Sequence, residues 1–199
     1  MNMLCEYEGH SMKEIQQPKK QPEIIRKRII EQTIILASEK GISGISLQSV
    51  ANGVGVTKGG IYHHFANKDI LIEEMIHEII RHLNRKVEEI ISNDDTEYGK
   101  FTRAYIHITF MEEIDGLVSP WSALSMTMIT DKKFNSIFGK WLKSKLDFYQ
   151  STDDSAELGV IRLANEGLWL QSVTEIVDLT QTVKCKQDLI RRTYKNNCK

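Results

Sequence analysis

The sequence has few of the residues that interrupt regular structure or cross-link a fold. Only 3 of its 199 residues are proline and 12 are glycine, which favours long helices over a turn-rich β-sandwich. The three cysteines, Cys5, Cys185 and Cys198, are odd in number, far apart and without a C-x-x-C pair. We therefore expect reduced, non-functional thiols and no disulfide framework.

Long apolar runs are also lacking. The sequence contains no stretch of about 18 apolar residues, the length that a membrane-spanning helix needs. Residues 1–20 are polar and lack the apolar core of a signal peptide. These two absences predict a cytoplasmic protein with no membrane partner.

The chain as a whole has almost no net charge, but its two parts carry net charges of opposite sign. The formal net charge is −1, which by itself predicts no nucleic-acid partner. Residues 1–68 hold 9 Lys and Arg against 6 Asp and Glu, whereas residues 69–199 hold 17 against 21. Five basic residues cluster in the first part, either as the solvated start of a helix or as a patch that faces phosphate. They are Lys19, Lys20, Arg26, Lys27 and Arg28.

The motifs of common enzyme and metal sites are absent as well. His77-Glu78 is followed by His82, but a zinc site needs H-E-x-x-H, and a spacing of five turns the rings about 140° apart. His63 and His64 are adjacent, so their side chains point apart. The sequence shows no recognisable Ser-His-Asp or Cys-His arrangement and no phosphate-binding G-x-x-x-x-G-K loop. We therefore expect no catalytic residues, no metal and no cofactor.

What the sequence does contain is a compact series of helix caps. Ser46 caps a very short helix, a glycine-containing turn follows, and Thr57 caps a third helix. Two short helices joined in this way form a helix-turn-helix, here over 46–65, whose second helix enters the DNA major groove. Its outward side chains can donate to base edges or phosphates. The pair Gly59-Gly60 weakens a helix, and close approach of the backbone to DNA is one reason to tolerate it.

The same stretch resembles the DNA-binding domain of the TetR family of bacterial regulators. The resemblance spans about 26–80 and rests chiefly on S-L-Q-S-V-A at 46–51 and G-V-T-K-G-G-I-Y-H-H-F-A-N-K-D-I-L at 55–71, with departures at 36–37 and 52–53. It implies a homodimeric, ligand-responsive transcription factor, usually a repressor, with a palindromic double-stranded DNA operator. It also implies DNA contacts at eight positions. They are Ser46, Gln48, Thr57, Lys58, Gly59, Tyr62, His63 and Lys68.

Residues 162–170, R-L-A-N-E-G-L-W-L, resemble the penultimate helix of multidrug-responsive members of this family. The resemblance implies that this helix and the last one form the dimer interface. Small residues allow two helices to approach closely, and larger apolar residues supply contact area. The candidates are Ala164, Gly167, Leu168 and Trp169. Packing within one subunit is the alternative, because apolar helix faces are common.

The helices between residues 71 and 150 are rich in aromatic and sulfur-containing side chains. Such side chains line adaptable apolar pockets, but they also build ordinary cores. We predict a pocket here for a small apolar or amphipathic effector. Its candidate residues are Phe101, Tyr105, Phe110, Trp121, Met126, Met128, Phe138 and Trp141. The acidic Glu112, Glu113 and Asp115 could favour a cationic ligand, although a solvated face is the simpler interpretation.

Helical periodicity without strand-like alternation predicts an all-α chain of about nine helices, a helix-turn-helix head on a helical bundle. We divide it into a flexible tail at 1–21, a DNA-binding domain at 22–68 and a ligand-binding and dimerisation domain at 69–199, with two separate cores. Ligand would tilt the long helix that starts at Lys68 and so change the spacing of two recognition helices. The alternatives are a transcriptional activator, or a helical small-molecule-binding protein or enzyme that keeps the head as a scaffold.

Overall fold

The computed structural model describes residues 20–118 and 120–195, without the side chains at 20, 126, 128–130 and 132–134. The tail predicted at 1–21 therefore lies almost wholly outside the described residues. Ten α-helices in the described part confirm the all-α class. They are α1 (Lys20–Lys40), α2 (Leu47–Val54), α3 (Lys58–Tyr62), α4 (Lys68–Ser92), α5 (Lys100–Thr109), α6 (Pro120–Thr130), α7 (Lys132–Phe148), α8 (Gln150–Asp153), α9 (Ala156–Val173) and α10 (Leu179–Arg192). A single 3₁₀ turn, Ile42–Gly44, joins α1 to α2.

Side-chain caps fix where the short helices of the head begin. Ser46 and Ser49 form a capping box, in which each hydroxyl accepts the other residue's backbone N–H at 3.0 Å. Thr57 Oγ1 and Asn67 Oδ1 each accept the amide three residues on, at 3.0 and 2.9 Å, and start α3 and α4. Gly55 ends α2 with a left-handed φ of 77°. The predicted helix-turn-helix is thereby confirmed.

A small β-hairpin departs from the purely helical pattern expected of the chain. Helix α5 ends at Thr109, and two antiparallel strands follow, β1 (Glu113–Ile114) and β2 (Leu117–Val118). The turn between them has Asp115 at φ 51° and Gly116 at φ 82°, the pair of positive angles that a type I′ turn requires. The hairpin directs Ile114 and Leu117, which are 1% and 3% exposed, into the core.

Head and body share one hydrophobic core. A single cluster of buried side chains includes Ile29 of α1, Phe65 of the head, Trp121 of α6 and Trp169 of α9. The expectation of two separate cores is therefore wrong. The reason is that α1 packs against α2 within the head and against α4 and α6 of the body, so its buried face serves both. Among the described helices, none is both long and apolar enough to span a membrane.

Candidate nucleic-acid interface and internal cavity

The short helix α3 turns its polar side chains outward. Ile61 is fully buried and fixes the helix to the core. Lys58 and His63 are exposed, and Tyr62 keeps 49% of its surface in solvent. Lys58 and Tyr62 lie four residues apart and so share one helix face. The structure thus brings these three predicted DNA-contact residues to one exposed surface.

Neither glycine of α3 is required by packing inside the chain. A methyl group at Gly59 would meet only Thr57 Oγ1, at 3.7 Å. At Gly60 it would meet Thr57 Oγ1 at 3.5 Å and Val56 Cβ at 3.6 Å, which are ordinary contact distances. Both lie outside the left-handed region of φ. Gly59 is exposed, so the absence of a side chain leaves the backbone of α3 open to a partner.

Two further predicted contacts lie on the flank of α2. The exposed Gln48 donates through Nε2 to Asn52 Oδ1 at 2.8 Å, which holds its amide along the helix surface. Ser46 is also exposed, but its hydroxyl takes part in the capping box. The hydroxyl of Thr57 likewise accepts an amide proton, and its own proton stays available for a second partner.

The side chain of Lys68 has a partner inside the chain. Its Nζ donates to the carbonyl oxygen of Ile42 at 2.8 Å and ties the start of α4 to the 3₁₀ turn before α2. The ammonium group is therefore committed to the head. The backbone amide of Lys68, at the positive end of the α4 dipole, is the group that can meet a phosphate. No local pattern could have revealed this bond, because its partners lie 26 residues apart.

The basic cluster of the sequence is largely engaged within the chain. Arg26 donates to Glu74 Oε2 at 2.8 Å and lies 4.8 Å from the centre of the Phe65 ring. Arg28 donates to the carbonyl oxygen of Val54 at 2.9 Å. These two arginines hold α1 against α2 and α4, so their first role is structural. Of the remaining basic residues, Lys19 and the side chain of Lys20 lie outside the described residues.

A cavity of about 370 Å³ lies in the helical body, between α5, α6, α7 and α9. Its lining residues are Tyr105, Trp121, Ser125, Phe138, Leu163, Glu166, Gly167, Trp169 and Leu170. Three of the eight predicted effector residues, Tyr105, Trp121 and Phe138, are thus brought together. The ring of Trp121 lies edge-on to both others, with centroids 5.4 Å from Tyr105 and 5.9 Å from Phe138.

Three other predicted effector residues, Phe101, Phe110 and Trp141, do not line this cavity. Phe101 is fully buried and stacks on Tyr149 with ring centroids 5.4 Å apart. The ring of Phe110 lies 5.5 Å from Lys186 Nζ. Trp141 donates from Nε1 to Asn84 Oδ1 at 2.7 Å. The side chains of Met126 and Met128 lie outside the described residues.

Residue Glu166, which sequence reasoning did not single out, is the charged member of the lining. Tyr105 donates from its hydroxyl to Glu166 Oε1 at 2.7 Å. Burial, then the charge and hydrogen bond of Glu166, raise the pKa of Tyr105 well above its usual range, so the phenol stays protonated. In the sequence, Glu166 lies near Gly167 and Trp169 among small and apolar residues. This local pattern does not predict that the carboxylate of Glu166 turns inward.

An apolar stripe runs along the exposed side of α9 and onto α10. Its members are Val160, Leu163, Leu170, Val173, Ile176, Leu179 and Val183. The predicted dimer residues Ala164 and Gly167 are exposed beside this stripe, whereas Leu168 and Trp169 are each only 8% exposed. Most of the surface of Leu168 and Trp169 is thus buried within the subunit itself.

The histidine that suggested a zinc motif has a different role. His82 Nε2 lies 2.9 Å from Glu78 Oε1, and its Nδ1 lies 3.3 Å from Asp115 Oδ2, which ties the hairpin to α4. Across residues 20–118 and 120–195, no group of three or more His, Cys, Asp and Glu is placed to hold a metal ion.

Comparison with known proteins gives two family matches and several relatives. The model of bacterial regulatory proteins of the tetR family matches residues 29–75, and that of the tetracyclin repressor-like C-terminal domain matches 99–192. The HTH-type transcriptional regulator BetI of Vibrio campbellii is 25% identical over 166 residues, 75% of this chain and 81% of that protein. The HTH-type transcriptional repressor KstR2 of Mycobacterium tuberculosis is 25% identical over 68 residues, 34% of each protein. Among solved structures, the multidrug binding protein EbrR complexed with malachite green is 18% identical, with a TM-score of 0.63 over 84% of this chain and 96% of that one.

A capped helix-turn-helix with an exposed second helix, set on a helical body, defines a DNA-binding transcriptional regulator. Because the two family matches together cover more than two-thirds of the sequence, the chain belongs to the TetR family of bacterial regulatory proteins. The likeness to EbrR agrees with the all-α fold of that family.

Proposed function

We propose that the chain represses transcription as a homodimer on a palindromic DNA operator and that a small apolar or amphipathic effector releases it. The observation that carries this proposal is the exposed α3, with the open backbone of Gly59, joined through one core to a cavity in the helical body. The relative KstR2 is named a repressor, and the neighbour EbrR a multidrug binding protein, which supports both halves. In this proposal the protein acts in the cytoplasm and has no catalytic role.

The DNA-binding part is residues 22–68, and the part at 69–199 binds effector and partner. Lys58 and Tyr62 reach into the major groove, where Lys58 meets a guanine edge or a phosphate. Gln48 approaches base edges from α2, and the backbone at Gly59 lies against the DNA. The remaining contacts, to phosphates, come from Ser46, Thr57, His63 and the amide of Lys68.

The second protomer covers the apolar stripe of α9 and α10. Val160 is 64% exposed, Leu163 70% and Leu179 80%, and large apolar side chains in such a contiguous row mark an interaction surface. Ala164 and Gly167 lie next to them and permit close approach of a second helix. A two-fold dimer presents two copies of α3, which requires half-sites about one helical turn or somewhat more apart.

Two chains of contacts connect the cavity with the head. Phe138 lines the cavity and lies 5.3 Å, between ring centroids, from Trp141, which donates to Asn84 on α4. Trp121 also lines the cavity, and its helix α6 packs along α1. An effector can therefore move α4, as the sequence suggested, and α1 as well. It must bind the arrangement that cannot hold DNA more tightly than the one that can.

The operator is tested first, by selection of duplexes from a random library with the wild-type protein. Lys58→Ala should weaken binding to the selected duplex in a fluorescence anisotropy titration. The matched control is Lys143→Ala, an exposed lysine on α7, which should leave the affinity unchanged. A wild-type protein that enriches no sequence above background would refute sequence-specific recognition.

The dimer is tested by sedimentation. Val160→Glu places a charge in the stripe and should shift the protein toward monomer. Phe148→Glu is the control, because Phe148 is 77% exposed on α7, outside the stripe. Equal association states for the two variants would contradict the assignment of this face.

A further inference from the structure

The cavity combines aromatic walls with one carboxylate. Among the described residues, four of the nine that line it carry aromatic rings, Tyr105, Trp121, Phe138 and Trp169, and Glu166 is the one charged residue. A lining with a single negative charge attracts a positive ligand and repels an anion, the more strongly because apolar walls lower the local dielectric.

The nearest cation on the same helix is directed elsewhere. Arg162 lies one turn before Glu166, but its Nη1 donates to Thr102 Oγ1 at 2.8 Å and to the carbonyl oxygen of Asp153 at 3.2 Å. Asp153 is also the acidic group with the strongest charge effect on the pKa of Arg162, after burial, which lowers that pKa. Arg162 does not line the cavity, and Glu166 ranks behind Asp153, Tyr105 and Asp154 among the charges that raise its pKa, so Arg162 balances the charge of Glu166 only weakly.

The hydrogen bond of Glu166 fixes the carboxylate without neutralising it. Its Oε1 accepts the proton of the Tyr105 hydroxyl at 2.7 Å, and Tyr105 is itself fully buried. A neutral donor of this kind orients a carboxylate and leaves its net charge in place. The second oxygen, Oε2, has no hydrogen-bond partner within the described residues.

We propose that the cavity binds a monovalent organic cation with an aromatic or apolar body, and that Glu166 selects for its positive charge. The aromatic faces receive the body of the ligand and attract its cationic group, tryptophan most strongly. A volume of about 370 Å³ lies at the lower end of the range for small-molecule sites, which suits a ligand of one or two fused rings with its substituents. The inference rests on the proposed function in that it takes this cavity as the effector site.

The test compares two ions of similar size and opposite charge, trimethyl(2-naphthyl)ammonium and 2-naphthalenesulfonate, by isothermal titration calorimetry on the full chain. The wild-type protein should bind the ammonium ion at least about tenfold more tightly than the sulfonate. In Glu166→Gln, which keeps an oxygen for Tyr105, the two affinities should become equal within about threefold. The matched control is Glu157→Gln, an exposed acid in the first turn of the same helix, which should keep the wild-type preference.

Tyr105→Phe provides a second variant, which removes the hydrogen bond but keeps the charge, and should retain the preference for the cation. The proposal is overturned if the sulfonate binds as tightly as the ammonium ion, if the preference survives in Glu166→Gln, or if neither ion binds at millimolar concentration. Operator binding without ligand is measured on the same samples. If operator binding is intact but the protein has no preference for the cation, the proposed regulatory function stands and the proposed ligand class is wrong. If the protein prefers the cation but does not bind an operator, the ligand class stands and the proposed regulatory function is wrong.

Discussion

Replacing Gly59 by alanine separates what α3 needs for folding from what it needs for DNA. The added methyl group has room, since its nearest neighbour would be Thr57 Oγ1 at 3.7 Å. Alanine exceeds glycine in helix propensity, so the free energy of unfolding should rise by about 0.5–1 kcal/mol. For a chain of this length such a gain raises Tm by about 1–4 °C.

The same methyl group should weaken operator binding. If the backbone at Gly59 lies against DNA, a side chain there holds the α3 backbone away from the phosphates. A hydrogen bond to a charged group contributes about 1.5–3 kcal/mol, so one lost contact in each of the two half-sites lowers the affinity by about a hundredfold or more. Gly139→Ala is the control, because Gly139 is an exposed glycine of α7 with no heavy atom within 4 Å of an added Cβ.

Thermal unfolding followed by circular dichroism and anisotropy titration of a selected duplex measure the two effects separately. Gly59→Ala should combine a higher Tm with weaker DNA binding, whereas Gly139→Ala should show only the higher Tm. Unchanged operator affinity in a stabilised Gly59→Ala protein would refute the close approach of backbone to DNA.

The remaining variants test contacts of the head and of the body. Lys58→Ala should alter base preference if Lys58 reads an edge, or reduce the salt slope by about one if it meets a phosphate, as salt-dependent titrations would reveal. Tyr62→Phe should weaken DNA binding at unchanged Tm, since Tyr62 is half-exposed; a fall in Tm would assign it to the core. Lys68→Met loses the bond to the Ile42 carbonyl and should cost about 1 kcal/mol in urea unfolding. Burial raises the pKa of Asp94, but the hydrogen bond and the charge of Arg103 outweigh this effect and leave the pKa of Asp94 below 3.8. The stabilisation from this ion pair is therefore present above pH 3.8 and is lost as the pH falls further. Asp94→Asn should therefore lower stability at pH 7 by about 3 kcal/mol and flatten its acid dependence.

The parts of the fold that depend on neighbours in sequence could be predicted. Ser46, Thr57 and Asn67 satisfy amides three residues away, so the starts of α2, α3 and α4 are each encoded in four consecutive residues. The hairpin could have been found by the same kind of reasoning. Asp115-Gly116 is the sequence that favours a type I′ turn, but two-residue strands are too short to display alternation.

The cavity could be predicted only in part, because the direction of a side chain in a bundle depends on which helices pack together. Aromatic content pointed to Tyr105, Trp121 and Phe138, but equally to Phe101, which the structure places in the core. Glu166 faces inward because α9 packs against α5 and brings its carboxylate to the Tyr105 hydroxyl, 61 residues away in sequence. Such long-range partners leave no periodic trace in the sequence.

The shared core also determines how the chain unfolds. Because buried side chains continue from Ile29 in α1 to Trp169 in α9, the head has no separate boundary along which it could melt alone. Unfolding should then be a single cooperative transition, with calorimetric and van't Hoff enthalpies that agree. A ligand that binds the folded body therefore raises the free energy of unfolding of the head by the same amount, even if the ligand does not change the orientation of the head. A fragment cut after residue 68 would lose one wall of its own core and should not remain folded.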